Sequence, residues 1–113
     1  ITFIGGIRMT EEMELVAMTL IAHAGECKSL AYQALNEAKI GNFEEAQKYL
    51  EQSNEEMLKA HGIQTDLIVK EASGETIDLG LIMVHSQDHL MGAILFKDLV
   101  KEFIDVYKAI YKK

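Results

Sequence analysis

The sequence predicts an all-α fold, an antiparallel up-down-up bundle of three long helices. Three observations predict it: the 113 residues include no proline, the apolar residues recur in steps of three and four, and glycines stand where these runs stop. Because both connections are short, consecutive helices are expected to run antiparallel. We expect a single domain over 10–113, preceded over 1–9 by a flexible extension or a cloning remnant.

The first helix is expected at about 10–39. Thr10 can cap its N-terminus, and Glu11 and Glu12 follow in the first turn, where the helix dipole favours negative charge. The helix then carries an unbroken heptad pattern of apolar or small residues: Met13, Ala17, Leu20, Ala24, Cys27, Ala31, Ala34 and Ala38. Cys27 lies on this pattern and is therefore expected to be a small buried group rather than a nucleophile.

The second helix is expected at about 43–72, after Gly41 and with Asn42 as its N-cap. Its heptad pattern is weaker, because polar residues interrupt it: Ala46, Leu50, Ser53, Met57, Ala60, Gln64 and Leu67. Gln64 has two interpretations at this stage. Its amide is satisfied within the core, or it reaches the His85 site of a neighbouring subunit.

The third helix is expected at about 76–111, after a second turn at Ser73 and Gly74. Its apolar pattern starts at Ile77 and later changes phase, continuing through Leu99, Phe103, Val106 and Ile110. We call the central part of this pattern the Asp88 stripe: Leu81, Val84, Asp88, Met91 and Leu95.

Composition excludes several classes of function. The chain has 18 acidic and 11 basic residues, a net charge of -7, which argues against binding to nucleic acid or to anionic membranes. Its apolar runs are too short for insertion into a membrane. One cysteine cannot form an intrachain disulfide, and together with the lack of a secretory signal this favours a cytoplasmic location.

Asp88 lies in the middle of an apolar helix face. Burying an isolated carboxylate costs several kcal/mol, so Asp88 must be protonated, paired with a cation or bound to a metal. The ordinary alternative is a carboxylate in a water-filled gap or paired with a lysine, but no lysine or arginine lies within one turn of it. If three copies met along the stripe, three Asp88 carboxylates could share a hard divalent cation.

His85 and His89 are separated by one helical turn and lie on the same face, with Gln87 nearby as an amide donor. Such a pair suits two chemistries: a neutral imidazole can accept a phosphoryl group, or both imidazoles can bind zinc. His-x-x-Asp-His is close to the inverted zinc-protease motif, which would require a third ligand and a cleft. The pair can also be two ordinary surface histidines.

At these residues the sequence resembles the lactose and cellobiose type enzyme IIA of the bacterial phosphoenolpyruvate-dependent sugar phosphotransferase system. The resemblance runs from about Met13 to Tyr107. It is carried by Gly25-Glu26-Cys27-Lys28-Ser29, Ala38-Lys39-Ile40-Gly41-Asn42-Phe43-Glu44-Glu45-Ala46, Ala60-His61-Gly62-Ile63-Gln64-Thr65, Glu71-Ala72-Ser73-Gly74 and, above all, Met83-Val84-His85-Ser86-Gln87-Asp88-His89-Leu90-Met91.

The resemblance implies a cytoplasmic phosphocarrier that assembles as a homotrimer of nine helices. His85 would be phosphorylated at Nε2, His89, Gln87 and Gln64 would contact the phosphoryl group, and Asp88 would hold a divalent metal ion, Mg²⁺, on the trimer axis. The donor would be the phosphorylated histidine-containing phosphocarrier protein, and the acceptor a cysteine of the cognate enzyme IIB. Ser86 departs from the small Ala or Gly that family members usually carry there.

The run from Leu81 to Val84 favours the cellobiose and diacetylchitobiose branch, and hence uptake of a β-glucoside of the cellobiose type. An alternative function uses the same residues. In it the chain is a metal-linked trimeric helical interaction module that carries no phosphoryl group.

Overall fold

The structure, a computed structural model, describes residues 11–77 and 79–112. Within these ranges the chain forms three α-helices and no strand: α1 over Glu11–Lys39, α2 over Phe43–Ala72 and α3 over Leu81–Tyr111. Both α2 and α3 pack against α1, and the predicted antiparallel up-down-up bundle is confirmed. The expected extension over 1–9 and the capping role of Thr10 lie outside the described residues.

The first turn depends on Gly41. Its φ of +83° is a left-handed conformation that favours glycine, and the backbone N–H of Asn42 donates to the carbonyl of Glu37 at 2.9 Å, as in a Schellman motif. Asn42 occupies the predicted N-cap position of α2, but its side chain forms no capping bond and instead donates to the Glu37 carboxylate at 2.9 Å. The predicted helix boundaries are therefore confirmed, whereas the side-chain cap is not formed.

The second turn ends α2 in the same way, and α3 begins later than the sequence predicts. Gly74 has a φ of +97°, and the N–H of Glu75 donates to the Lys70 carbonyl at 3.1 Å. The prediction that α3 starts near residue 76 is wrong, because Gly80, with extended φ and ψ of -94° and 170°, is the N-cap of a helix that starts at Leu81. Ile77 therefore belongs to the connection.

The core contains the predicted face of α1 and, on α3, a face other than the Asp88 stripe. Seven of the eight heptad residues of α1 are buried, and Met13 is half-buried. The α3 residues in the subunit core are Met83, Ser86, Leu90, Ala93, Val100 and Ile104. The apolar members of the Asp88 stripe are exposed in the single chain, from 86% for Leu81 to 49% for Val84. α3 therefore carries two apolar faces.

Cys27 is buried, which confirms its predicted role as a core residue. The Ser53 hydroxyl, one of the polar interruptions of the α2 pattern, donates to the Cys27 carbonyl oxygen at 2.7 Å, and the Cys27 sulfur lies 3.3 Å from Ser53 Oγ. Burial raises the pKa of the Cys27 thiol, so the nucleophilic thiolate is disfavoured. The small serine therefore fits the core as a satisfied polar group.

Among the described residues, no helix is both long enough and apolar enough to cross a membrane.

Candidate phosphoryl-transfer site

His85 and His89 form a contact pair on the exposed surface of α3. Their Nε2 atoms lie 3.0 Å apart, and the two rings meet edge to face with centroids 4.4 Å apart. A hydrogen bond between two imidazole nitrogens requires a proton on one Nε2 and a lone pair on the other. The prediction that the two histidines lie on one helix face is therefore confirmed, and their chemical roles remain predictions.

An open groove of about 440 Å³ between α1 and α3 contains this pair. Asp88 lies on the same groove, together with Lys28 and Tyr32 of α1. The Tyr32 and Phe96 rings also line the groove, and they contact each other with centroids 4.3 Å apart and ring planes tilted by 40°. The groove is shallow and open, which suits a reacting group that must be reached by other proteins.

Gly92 lines the groove where a larger residue would narrow it. A Cβ built on this glycine would meet nothing within 4 Å in the single chain. Packing within the subunit therefore does not require glycine here. Gly92 therefore leaves open space in the part of the groove that it lines.

Gln87 and Gln64 are paired with each other on the other side of α3. Gln64 Nε2 donates to Gln87 Oε1 at 2.6 Å, and both residues line a smaller apolar pocket of about 140 Å³ between α2 and α3. Gln87 also donates to the Met83 sulfur at 3.7 Å. Two residues along an α-helix turn by about 200°, so Gln87 points away from His85. The predicted phosphoryl contacts of both amides remain predictions.

Asp88 is exposed in the single chain and stands among the exposed apolar residues of its stripe. It forms no ion pair with another described residue, and the described residues include no cluster of three His, Cys, Asp or Glu side chains that could hold a metal. One carboxylate is an oxygen donor of the kind that hard divalent cations prefer. A metal at Asp88 would therefore need ligands from other copies, and a zinc site at the histidines would need a further ligand.

Ser86, the departure from the expected family pattern, is fully buried in the subunit core. Its hydroxyl donates to the Met83 carbonyl oxygen at 2.6 Å within the same helix. A serine can thus replace a smaller residue here without leaving a buried polar atom unsatisfied. The substitution does not change the groove that contains His85.

Comparison with known proteins places these observations in a family. The family model described as PTS system, Lactose/Cellobiose specific IIA subunit matches residues 15–108. The chain belongs to this family. This confirms the family suggested by the sequence motifs, and with it the enzyme class: IIA subunits are phosphotransferase components that act through a phosphohistidine intermediate.

Relatives of this IIA subunit span nearly the whole chain. The lichenan-specific phosphotransferase enzyme IIA component of Bacillus subtilis is 47% identical over 102 residues, covering 90% of this chain and 93% of the relative. The crystal structure of the cellobiose-specific enzyme IIA from Bacillus anthracis aligns with a TM-score of 0.88 at 40% identity, covering 94% and 96% of the two chains.

A third comparison is a complex with another protein. The IIA(Chitobiose)-HPr complex of the N,N'-diacetylchitobiose branch of the Escherichia coli phosphotransferase system aligns with a TM-score of 0.75 at 36% identity, covering 90% of this chain and 99% of the other. Both structural neighbours have the three-helix fold described above. Their agreement with this chain in length and fold excludes a chance match of short motifs.

The IIA subunit has four histidines, and two of them differ from the pair on α3. His23 Nδ1 is bonded to the Glu56 carboxylate at 2.7 Å between α1 and α2, and this bond lowers the pKa of Glu56. His61 is exposed on α2 and forms no hydrogen bond or ion pair with any described residue. Only His85 and His89 combine exposure, a histidine partner and a groove.

Lys28 is a charged groove residue to which sequence reasoning assigned no function. It lies on α1, 57 positions before His85, and only the packing of α1 against α3 brings it to the groove. One feature of the sequence could have indicated that Lys28 is available to a ligand. The residues one turn before and after it, Ala24 and Tyr32, are uncharged, so no carboxylate lies one turn away from this lysine on α1.

Proposed function

We propose that this IIA subunit is a phosphocarrier that accepts a phosphoryl group on Nε2 of His85. The donor is the phosphorylated histidine-containing phosphocarrier protein, and the acceptor is a cysteine of the cognate enzyme IIB, in the cytoplasm. The observation that carries the proposal is the 3.0 Å contact between the Nε2 atoms of His85 and His89 in an open groove. The IIA(Chitobiose)-HPr complex of a relative supports the donor.

The chemistry at His85 follows from the tautomers of the pair. For His85 to act as the nucleophile, its Nε2 holds the lone pair, its Nδ1 holds the proton, and His89 Nε2–H donates to it. In transfer, a P–N bond forms at His85 Nε2 while the P–N bond to the donor breaks and leaves its electron pair on the donor nitrogen. The His89 N–H then turns from the ring nitrogen to a phosphoryl oxygen.

Positioning supplies most of the catalysis in such a transfer. The phosphoryl group passes through a loose transition state, so the protein mainly orients groups and stabilises charge on the equatorial oxygens. Holding His89 against His85 before transfer keeps the hydrogen-bond donor in place. Passage to enzyme IIB reverses the step: the cysteine thiolate forms a P–S bond, and the electron pair returns to Nε2.

We further propose that three subunits assemble with their Asp88 stripes on a common axis, giving nine helices in all. The exposed apolar members of the stripe require a partner surface, and Leu81 and Leu95 are 86% and 61% exposed in the single chain. Three Asp88 carboxylates converging there would share one divalent cation, Mg²⁺, through oxygen ligands. This ion would relieve the repulsion of buried charges and would take no part in phosphoryl transfer.

Phosphate incorporation tests the carrier function. Incubation with phosphoenolpyruvate and the general phosphotransferase proteins is expected to add one acid-labile phosphate per chain, measured by intact mass. His85→Ala should abolish the addition, while His61→Ala, which removes an exposed histidine on α2, should leave it unchanged. Absence of a P–N signal in phosphorus NMR would refute the proposal, and metal-dependent trimers without phosphate uptake would favour the interaction module instead.

Sedimentation tests the assembly. We expect a trimer that weakens when a chelator removes the cation, and a weaker trimer in Asp88→Asn, which keeps the shape but loses the ligand charge. Asp88→Leu should form a trimer at least as stable as that of wild type, because an apolar side chain replaces the charged one within the apolar stripe. Asp105→Asn, an exposed position of α3 outside the stripe, is the matched control. A wild-type monomer at micromolar concentration would contradict this assembly.

For the sugar, we propose a β-glucoside of the cellobiose type. The run Leu81–Val84 and the lichenan- and cellobiose-specific names of the relatives described above support this choice. The expected result is faster phosphoryl transfer to a cellobiose-type enzyme IIB than to a lactose-type one. Equal rates with both would remove the support.

A further inference from the structure

We propose that Lys28 binds the phosphoryl group carried by His85, an inference that rests on the function proposed above. Lys28 lies on α1, and its side chain lines the same groove as His85 and His89. No role for it follows from the motifs of α3. The inference comes from charge, from the lack of competing partners and from the open space in the groove.

Charge singles out this lysine. The protein has a net charge of -7, yet a phosphoryl group on His85 would place up to about two further negative charges on its oxygens. Among the residues that line the groove, Lys28 is the one permanent cation, while the histidines are cationic only when protonated. A lysine ammonium is a compact charge with three donors, which suits the oxygens of a phosphoryl group.

Lys28 is also free to turn toward this group. Lys48, Lys59 and Lys97 are each held by a carboxylate, at 3.2, 3.5 and 3.1 Å respectively. Lys28 forms no ion pair within the described ranges, and none of its neighbours one turn away is acidic. Because the Lys28 ammonium has no ion-pair partner among the described residues, it is available to bind an anionic ligand, at the cost of the rotamer entropy that fixing its side chain requires.

The groove leaves room for that contact. Ala24 and Ala93 are small and buried, and a Cβ at Gly92 would meet nothing within 4 Å. The flexible four-carbon stem of Lys28 can therefore cross from α1 toward Nε2 of His85 without displacing a bulky side chain. The Tyr32 and Phe96 rings line the groove beside it.

The competing role for Lys28 is that of a counter-ion to Asp88, which lines the same groove. The two side chains do not form an ion pair in the single chain. If Lys28 neutralised Asp88, its loss would weaken the trimer or its metal dependence. If it binds the phosphoryl group, its loss would change the properties of that group and leave assembly unchanged. These two outcomes can be measured separately.

The experiment compares purified phosphorylated wild type, Lys28→Gln and Lys28→Arg by phosphorus NMR through the titration of the phosphoryl group. Lys28 stabilises the dianion, so Lys28→Gln should raise the pKa of the phosphoryl group by roughly 0.2 to 0.7 unit, the range for an exposed ion pair. Lys28→Arg should retain the wild-type value. Lys39→Gln, an exposed lysine in the last turn of α1, is the control and should also match wild type.

Each result has one interpretation. If wild type takes up no phosphate, the proposed function fails and this inference fails with it. If wild type is phosphorylated but Lys28→Gln titrates like Lys39→Gln, the inference alone is overturned. A higher KM for the donor with an unchanged phosphoryl titration would make Lys28 a protein-docking residue, and an altered trimer would make it a partner of Asp88; either result also overturns the inference.

Discussion

Replacing Gly41 by alanine is expected to destabilise the bundle at the end opposite the α2–α3 turn. Gly41 has a φ of +83°, which costs a residue with a Cβ about 1 to 2 kcal/mol. The new Cβ would also lie 2.8 Å from Cε1 of Tyr111, closer than two carbon atoms can approach. The Tyr111 ring must then move, although its hydroxyl donates to the Lys39 carbonyl oxygen at 2.8 Å.

The expected loss of stability in Gly41→Ala follows from the cost of the left-handed backbone and from the displacement of the Tyr111 ring. Loss of the tyrosine hydrogen bond adds about 0.5 to 1.5 kcal/mol to the conformational cost, so the free energy of unfolding should fall by roughly 1.5 to 3.5 kcal/mol. Urea unfolding followed by circular dichroism measures it. Because assembly makes stability depend on concentration, all variants must be compared at one protein concentration.

Two variants separate the contributions. Tyr111→Phe loses only the hydrogen bond and should cost the smaller part. Gly62→Ala, in the interior of α2 where a Cβ would meet nothing within 4 Å, should stabilise by up to about 1 kcal/mol, since alanine favours helix over glycine. If Gly41→Ala unfolds at the wild-type midpoint, the argument from backbone conformation and ring contact is wrong.

Two further predictions concern ionisable groups outside the candidate site. The hydrogen bond from His23 lowers the pKa of Glu56 in the folded protein. Ionised Glu56 therefore stabilises the fold at pH values above the pKa of glutamate in the unfolded chain, about 4.3. This stabilisation is lost as the pH falls through the lower pKa of Glu56 in the folded state. The urea concentration at the unfolding midpoint should therefore fall less steeply with acidification in Glu56→Gln than in wild type or in the exposed control Glu55→Gln. If the midpoint depended on pH equally in all three proteins, Glu56 would not make this contribution to stability. Cys27 is buried and its pKa is raised, so at neutral pH it should react with a thiol reagent only as fast as the bundle opens. This labelling should be far slower than labelling of the unfolded chain in urea. If the native protein were labelled at the rate of the unfolded chain, the thiol would be accessible and the prediction would be wrong.

Local signals predicted two helices closely and missed the start of the third. The ends of α1 and α2 follow from glycines at positive φ, a conformation that the sequence marks with the residue best able to adopt it. The start of α3 was placed five residues too early because a turn signal at Ser73 and Gly74 is followed by Ile77, one helical turn before Leu81. In the structure the N-cap is Gly80, in an extended conformation, and only the path of the connection shows this.

The candidate site divides in the same way into local and non-local parts. The contact of His85 with His89 depends only on helix geometry, so their spacing was sufficient to predict it. Lys28 was missed because its proximity depends on how α1 packs against α3. In the single chain the amide of Gln87 lies toward α2 and bonds to Gln64, so its expected contact with the phosphoryl group stays a prediction.

The two apolar faces of α3 explain why the histidines and the glutamines lie where they do. If Asp88 is set at zero and each residue turns the helix by about 100°, the core residue Leu90 is at about 200°, nearly opposite Asp88. The helix therefore has one apolar face toward the subunit core and a second apolar face formed by the Asp88 stripe. His85 and His89, at about 60° and 100°, fall on one boundary between these faces, the one beside α1 and Lys28. Gln87, at about -100°, falls on the other, beside α2. A residue on such a boundary is held in place by packing on both sides while its polar end remains exposed. This is the arrangement that a phosphoryl carrier needs, because its imidazole must be fixed relative to its hydrogen-bond donor and still be reached by one protein that delivers the group and another that removes it.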